Sequence, residues 1–234
     1  MSAVQSFDRW VASHPLVYGG LVLLTVSVVL VLFVDLPLAI YLRHSSWVLV
    51  RPALDDIGEL GRAGFWVAGA AAVYAVSLWA RARAAEVAAW WAWVGRYCLL
   101  LLVSLAATGA VIHLLKALVG RSRPKAFFSD GLYGFGRIAE GRPWDSFPSG
   151  HTQVAFTVAT VLALAVPSLR LPIFAAAALV GFSRMVNGAH YLSDVLVSGV
   201  LCSLIVLGLA RFFLDSRRGW LDLPPQHWWR ALRG

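Results

Sequence analysis

Six long apolar runs constrain this chain more than anything else in it. They span Leu16–Val34, Gly64–Ala80, Tyr97–Leu115, Thr152–Val166, Leu171–Phe182 and Val195–Leu214. A helix needs about 20 mainly apolar residues to cross a bilayer, and inside lipid every backbone polar group must find its partner within the protein. With 59% hydrophobic and only 14% charged residues, the chain lies outside the composition of ordinary soluble domains. The expected fold is all-α, a bundle of six transmembrane helices forming one integral membrane domain over residues 1–234.

The fourth and fifth runs are short, and only Pro167–Leu171 separates them. Extending them back to Ser149 and on to Met185 restores the length; the other reading is a buried hairpin that does not cross. The N-terminal run is long and has no small-residue cleavage site before Asp35, so it reads as a retained helix rather than a signal peptide. Cys98 and Cys202 both fall inside expected spans, where no disulfide framework is plausible, and read as packing residues. A formal net charge of +8 without a soluble basic domain fits anionic lipid head groups and argues against nucleic acid.

Six spans put the N-terminus, the loop at Arg81–Arg96, the turn at Arg170 and the C-terminus on one membrane face. The loops Asp35–Ala63, Lys116–His151 and Ser183–Asp194 lie on the other. Lys and Arg divide ten to ten between the faces, so the positive-inside rule alone does not orient the chain. Trp79, Trp90, Trp91 and Trp93 sit where an aromatic belt lies. The tail 215–234, basic and rich in tryptophan, reads as an interfacial helix or a frayed end.

Three blocks on the second face carry chemistry. Lys116 is followed, after six residues, by Arg123-Pro124; Pro148-Ser149-Gly150-His151 opens the fourth run; Ser183-Arg184 precedes His190 and Asp194. Lys116, Arg123 and Arg184 supply the fixed cations that phosphoryl transfer needs around its non-bridging oxygens. Ser149 and Gly150 stand at a helix start, where free N–H groups favour an anion, and the Ser149 hydroxyl adds a donor. Two histidines in separate blocks imply divided roles. Asp194 follows His190 by four residues, a spacing that places both on one helical face, so the carboxylate accepts from one ring nitrogen and leaves the other to attack. His190 is the expected nucleophile, His151 the acid and then the base, and Asp194 the orienting carboxylate. No metal ligand cluster and no cofactor are called for. His113, one turn before Lys116, reads as a pocket residue or as bonded to a neighbouring helix, and Trp144, Asp145 and Phe147 as a lip over the head group. The glycine-rich stretch Phe127–Arg142 reads as a flexible cover.

These eleven positions resemble the three signature blocks of the type 2 phosphatidic acid phosphatase family. The motif region covers 116–194, and the six-span pattern extends the likeness over nearly the whole chain. The resemblance implies a six-helix membrane phosphatase with its active site at one membrane face, a phosphohistidine intermediate and no metal requirement. It also implies a bacterial inner membrane, with cytoplasmic termini and the site facing the periplasm. The expected partners are the bilayer and a phosphorylated lipid substrate: undecaprenyl diphosphate, phosphatidylglycerophosphate, phosphatidate or lipid A. The sequence leaves open the oligomeric state, transfer of the phosphate to a second lipid, and a non-catalytic role in phospholipid binding or transport. The vanadate haloperoxidases share such a pocket but are soluble, which the spans here disfavour.

Overall fold

The first apolar run does not stop where its charge suggests. The structure, a computed structural model, describes residues 15–83, 88–136 and 138–213. In it α1 (Pro15–Val29) passes through a π-helical turn at Leu30–Val34 into α2 (Asp35–His44). The result is one apolar helix, Tyr18–His44, of 27 residues. Asp35 reads in sequence as a span end, yet it is 1% exposed. The helix continues through it because Arg121 and Ser193 satisfy its carboxylate.

The expected surface loop 35–63 is largely helical too. After a 3₁₀ turn at Ser46–Val48 comes α3 (Arg51–Glu59), which has proline in its first turn, where the missing N–H costs nothing. It buries Leu54 and Gly58 and turns through Leu60-Gly61-Arg62 into α4 (Ala63–Arg83). The remaining helices are α5 (Ala88–Val119), α6 (Pro124–Asp130), α7 (Gly150–Ala165), α8 (Arg170–Val186) and α9 (Leu192–Phe213). The expected cover thus begins as helix α6, which Gly131 ends in a left-handed conformation (φ +68°). Among the described residues the only β pairing is an isolated bridge between Arg121 and Asp145.

Among the described residues five helices are long and apolar enough to cross a membrane: Tyr18–His44, Arg51–Arg83, Ala88–Val119, Pro167–Val186 and Leu192–Phe213. The all-α membrane bundle stands, but the sixth expected span is shorter than anticipated. Helix α7 has 16 residues, about 24 Å at 1.5 Å per residue, against a hydrocarbon core of about 30 Å. Both expected extensions hold, since α7 starts at Gly150 with Ser149 as its N-cap and α8 reaches Val186; α7 stays short because it ends at Ala165 ahead of Pro167.

Helix α7 is nonetheless the centre of the bundle. Val154, Val158 and Val161 pack against Leu100, Leu101 and Leu105 of α5, Ala70 of α4, and Val206 and Ala210 of α9. Its other flank, Ala155 and Ala159, meets Ala177 and Val180 of α8. Polar residues stitch the same contacts: Gln153 donates to Thr108 at 2.8 Å, Thr108 and Thr157 lie 3.1 Å apart, and Thr160 donates to Ser203 at 3.1 Å. Such interhelical bonds contribute about 0.6 kcal/mol each inside a membrane. Small residues bring helices close, as at Gly181, where an added Cβ would stand 2.6 Å from Val195. Cys98 and Cys202 are free thiols on α5 and α9. The tail 215–234 lies outside the described residues.

Candidate active site

All three sequence blocks arrive at one end of the bundle, around a cavity of about 660 Å³. Lys116 comes from the last turn of α5, Arg123 from the residue before α6, Gly150 and His151 from the start of α7, Arg184 from the last turn of α8, and His190 from the segment before α9. Asp55, Glu59 and Arg62 of the α3–α4 corner complete one wall.

Two residues expected at the site stand behind it. Ser149 is fully buried and caps α7: its hydroxyl accepts from Thr152 N–H at 3.4 Å and from the Thr152 hydroxyl at 2.9 Å. That is an N-cap role, and the side chain does not line the cavity. Asp194 is fully buried. Its Oδ2 accepts from the Ser146 hydroxyl at 2.6 Å and Tyr191 N–H at 2.8 Å, while Oδ1 accepts from Arg121 at 2.5 Å.

His190 does not share a helical face with Asp194, because α9 begins only at Leu192. The chain turns between them, and this changes the contact. Nδ1 of His190 lies 2.7 Å from the Ser146 carbonyl and 3.7 Å from Asp194 Oδ2. A carbonyl can only accept, so Nδ1 carries the proton, and in the neutral ring Nε2 keeps its lone pair. Among the described residues no group hydrogen-bonds Nε2. Burial pushes His190 down to about 4, against the opposing pull of Asp194, so the ring is neutral near pH 7. Ser146 ties the pair together, giving its hydroxyl to Asp194 and its carbonyl to His190.

The cations are held by partners of their own. Asp145 takes a two-pronged contact from Arg123, Nε to Oδ1 at 2.6 Å and Nη2 to Oδ2 at 2.8 Å, and its carbonyl accepts from Lys116. Burial alone would raise the Asp145 carboxyl; the bond and charge of Arg123, with Lys116 nearby, outweigh it and hold the group below the usual range. Arg184 reaches Asp55 at 3.3 Å, and Asn187 donates to the same oxygen. Asp145 therefore positions two cations, a narrower role than the expected lip. His113 bonds the carbonyl of Gly109 in its own helix at 2.8 Å and does not line the cavity.

Arg121 and Asp35 carry no signal that sequence reasoning used. Arg121 is 1% exposed. Its guanidinium joins Asp194 to Asp35 (Nη2 to Oδ2, 2.7 Å) and Ser193 (2.7 Å), and lies 4.2 Å from the Tyr191 ring centroid. Burial opposes its charge, but Asp194 and Asp35 overcome that and raise its pKa above the ordinary value. The first membrane helix is thus tied to the carboxylate beside His190.

Residues 97–218 match the family model of the PAP2 superfamily. The lipid A 1-phosphatase of Rhizobium johnstonii is 32% identical over 152 residues, covering 65% of this chain and 56% of that protein. A lipid A 1-phosphatase of Rhizobium etli is 34% identical over 115 residues, covering 49% and 48%. The chain spans about half the length of these curated relatives. Among solved structures, the transmembrane PAP2 type phosphatidylglycerolphosphate phosphatase from Bacillus subtilis shares the fold, with a TM-score of 0.60 and 22% identity over 86% of this chain and 96% of that one. The residues from Lys116 to Asp194 that build the cavity and its support all fall within the matched segment, which is just over half of the sequence, and the chain belongs to the PAP2 superfamily.

Proposed function

We propose that this protein is an integral membrane lipid phosphate phosphatase that works through a phosphohistidine on His190. The observation that carries the reading is the fixed His190 ring, with Nδ1 engaged and Nε2 unbonded, in a cavity lined by Lys116, Arg123, Arg184 and His151. Nε2 attacks phosphorus, the bond from phosphorus to the lipid oxygen breaks, and His151, held down at about 4 by burial and Arg184 in the free protein and protonated when the substrate's negative charge stands beside it, gives a proton to that oxygen. Asp194, 3.7 Å from Nδ1, stabilises the positive ring that results. Water then attacks phosphorus, His151 takes its proton, the P–N bond breaks and phosphate leaves. The three cations and the Gly150 N–H at the start of α7 face the non-bridging oxygens.

A lipid tail has a path of its own. An apolar groove of about 170 Å³ runs between α4, α7 and α8, and its lining includes Leu60, Trp66, Ala159 and Val180. Leu60 adjoins the corner that walls the phosphate cavity. A lipid A type phosphate heads the candidate substrates because the two Rhizobium relatives bear that activity in their names. The reading extends to a bacterial inner membrane with cytoplasmic termini and a periplasmic site, supported by bacterial relatives and the family resemblance; terminal reporter fusions check that orientation.

The test is phosphate release by detergent-purified protein from lipid A, phosphatidylglycerophosphate, undecaprenyl diphosphate and phosphatidate. Release from at least one is expected, and it should persist in excess EDTA. Full loss in EDTA would overturn the metal-free mechanism, and release from none of the four would overturn the phosphatase reading.

The α3–α4 corner offers a second check. A Cβ on Gly61 would stand 2.7 Å from His151 Cβ and 2.9 Å from its carbonyl oxygen, whereas one on Gly64 meets nothing within 4 Å. Gly61→Ala is expected to displace His151 and lower kcat by about 10- to 100-fold, with Gly64→Ala as the neutral control. Equal rates for the two variants would show that the corner does not set the position of His151.

A further inference from the structure

A second basic cavity lies on the other side of α6 from the catalytic one. It holds about 500 Å³, and Lys125 and Ser129 line both spaces, so α6 is their common wall. Its cations come from three elements: Arg43 from the end of α2, Arg51 from the start of α3, and Lys125 from α6. Among the described residues no carboxylate lines it, in contrast to the catalytic cavity with its Asp55, Glu59 and Asp130. Among the described residues none of the three cations forms an ion pair. Arg51 gives Nη2 to the Val186 carbonyl at 3.2 Å, and its Nε is buried without a partner. Arg43 rests over the Phe128 ring at 5.7 Å. The backbone N–H of Lys125 donates to Gly188 at 2.9 Å, which fastens α6 to the turn after α8 and fixes the wall.

Three cations that form no ion pair among the described residues surround one concave, partly apolar space, and their like charges together favour an anion there. Resting on the phosphatase reading, we propose that this cavity is a second anion site. It takes a phosphate group that is not hydrolysed while the scissile phosphate occupies the neighbouring cavity across α6. That group is carried either by the same substrate lipid or by an adjacent anionic lipid. The first source makes the enzyme select lipids with two phosphates; the second makes it respond to the charge of the surrounding membrane.

The test measures binding to His190→Ala protein, so it reads the second site whether or not wild type turns the lipids over; wild-type turnover separately tests the phosphatase reading. The probes are a synthetic lipid with two phosphomonoesters on one head group and its monophosphorylated counterpart in neutral micelles, then the latter in micelles doped with phosphatidylglycerol. Arg43→Gln and Arg51→Gln are compared in that background. Among the described residues Arg43 makes no side-chain hydrogen bond and rests only over Phe128, so its variant stands if Arg51→Gln misfolds. The expected result is about tenfold or more tighter binding, either of the bisphosphorylated lipid or in the anionic micelles. Each glutamine variant should reduce that preference. Preference in the first arm identifies the substrate's own second phosphate, and preference in the second identifies a neighbouring lipid. No preference in either arm, or variants that weaken all three conditions equally, would overturn the site.

Discussion

His190→Ala is expected to lower phosphate release by about 10⁴-fold or more, the scale seen when a covalent nucleophile is removed. The geometry makes the loss specific. Nδ1 is committed to the Ser146 carbonyl, so on this ring only Nε2 can form the P–N bond, and the cavity's other imidazole, His151, is assigned to the leaving oxygen. His151→Ala should behave differently: the nucleophile remains, and losing the general acid costs about 10²- to 10⁴-fold, leaving slow formation of a phosphoenzyme that water attacks poorly. Rapid quenching with radiolabelled lipid distinguishes the two, with labelled protein in the His151 variant and none in the His190 variant. Label trapped on His190→Ala protein would remove His190 from the nucleophile's role. The pH dependence follows the same residue. Attack requires the neutral ring, and burial holds His190 near 4 instead of the usual 6.5 or so. A depressed pKa keeps the neutral form available as pH falls, so the acid limb of kcat/KM, after allowance for the substrate's own ionisation, belongs near pH 4. A limb near 6.5 would mean that the free enzyme's nucleophile is solvated.

Arg121→Leu is the most damaging change expected outside the cavity. Arg121 sits between two buried carboxylates, Asp194 and Asp35, and its loss leaves both without their cation. Breaking a buried pair by removing one partner destabilises by about 3–5 kcal/mol, because the remaining charge stays out of water. Arg121→Lys does not rescue it, since a single ammonium lacks the planar fork that reaches two acids at once. Removing one acid as well, in Arg121→Leu/Asp35→Leu, should recover part of the loss, because Asp194 keeps Ser146 and the Tyr191 N–H. Thermal midpoints of the detergent-purified proteins measure this. An unchanged midpoint for Arg121→Leu would show that the triad contributes little to stability.

Span ends and motif spacing were enough to bring Lys116, Arg123, Gly150, His151, Arg184 and His190 to a common cavity, since helices of membrane length carry their ends to one of two faces. What stayed hidden depends on contacts distant in sequence. Arg121 lies in the gap between Lys116 and Arg123 and reads as one more interfacial cation; its partner Asp35 is 86 residues away. Asp35 looked like the stop of a helix because a lone carboxylate in lipid is costly, and nothing local shows that it is paired. The spacing of His190 and Asp194 indicated proximity but assigned it to a helical face, whereas a turn before α9 produces it. Ser149 looked like a ligand because its motif is one, yet a serine at a helix start serves equally as the cap. Helix α7 follows its expected bounds closely, Gly150–Ala165 against Ser149–Val166, and the shortness already legible in its sequence remains because the chain leaves the helix ahead of Pro167.

The link between Asp35 and Ser193 also sets a clock on synthesis. The two residues are 158 positions apart, and at about 5–20 residues per second the ribosome needs roughly 8 to 30 seconds to travel from one to the other. For that interval the first membrane helix exists with its acid lacking one native partner, and for more than half of it Arg121 is absent too. The nascent chain therefore carries a polar defect in the helix Tyr18–His44 that is fully removed only when Ser193 at the start of α9 arrives, so a chain cut short before α9 keeps that carboxylate without its full set of partners.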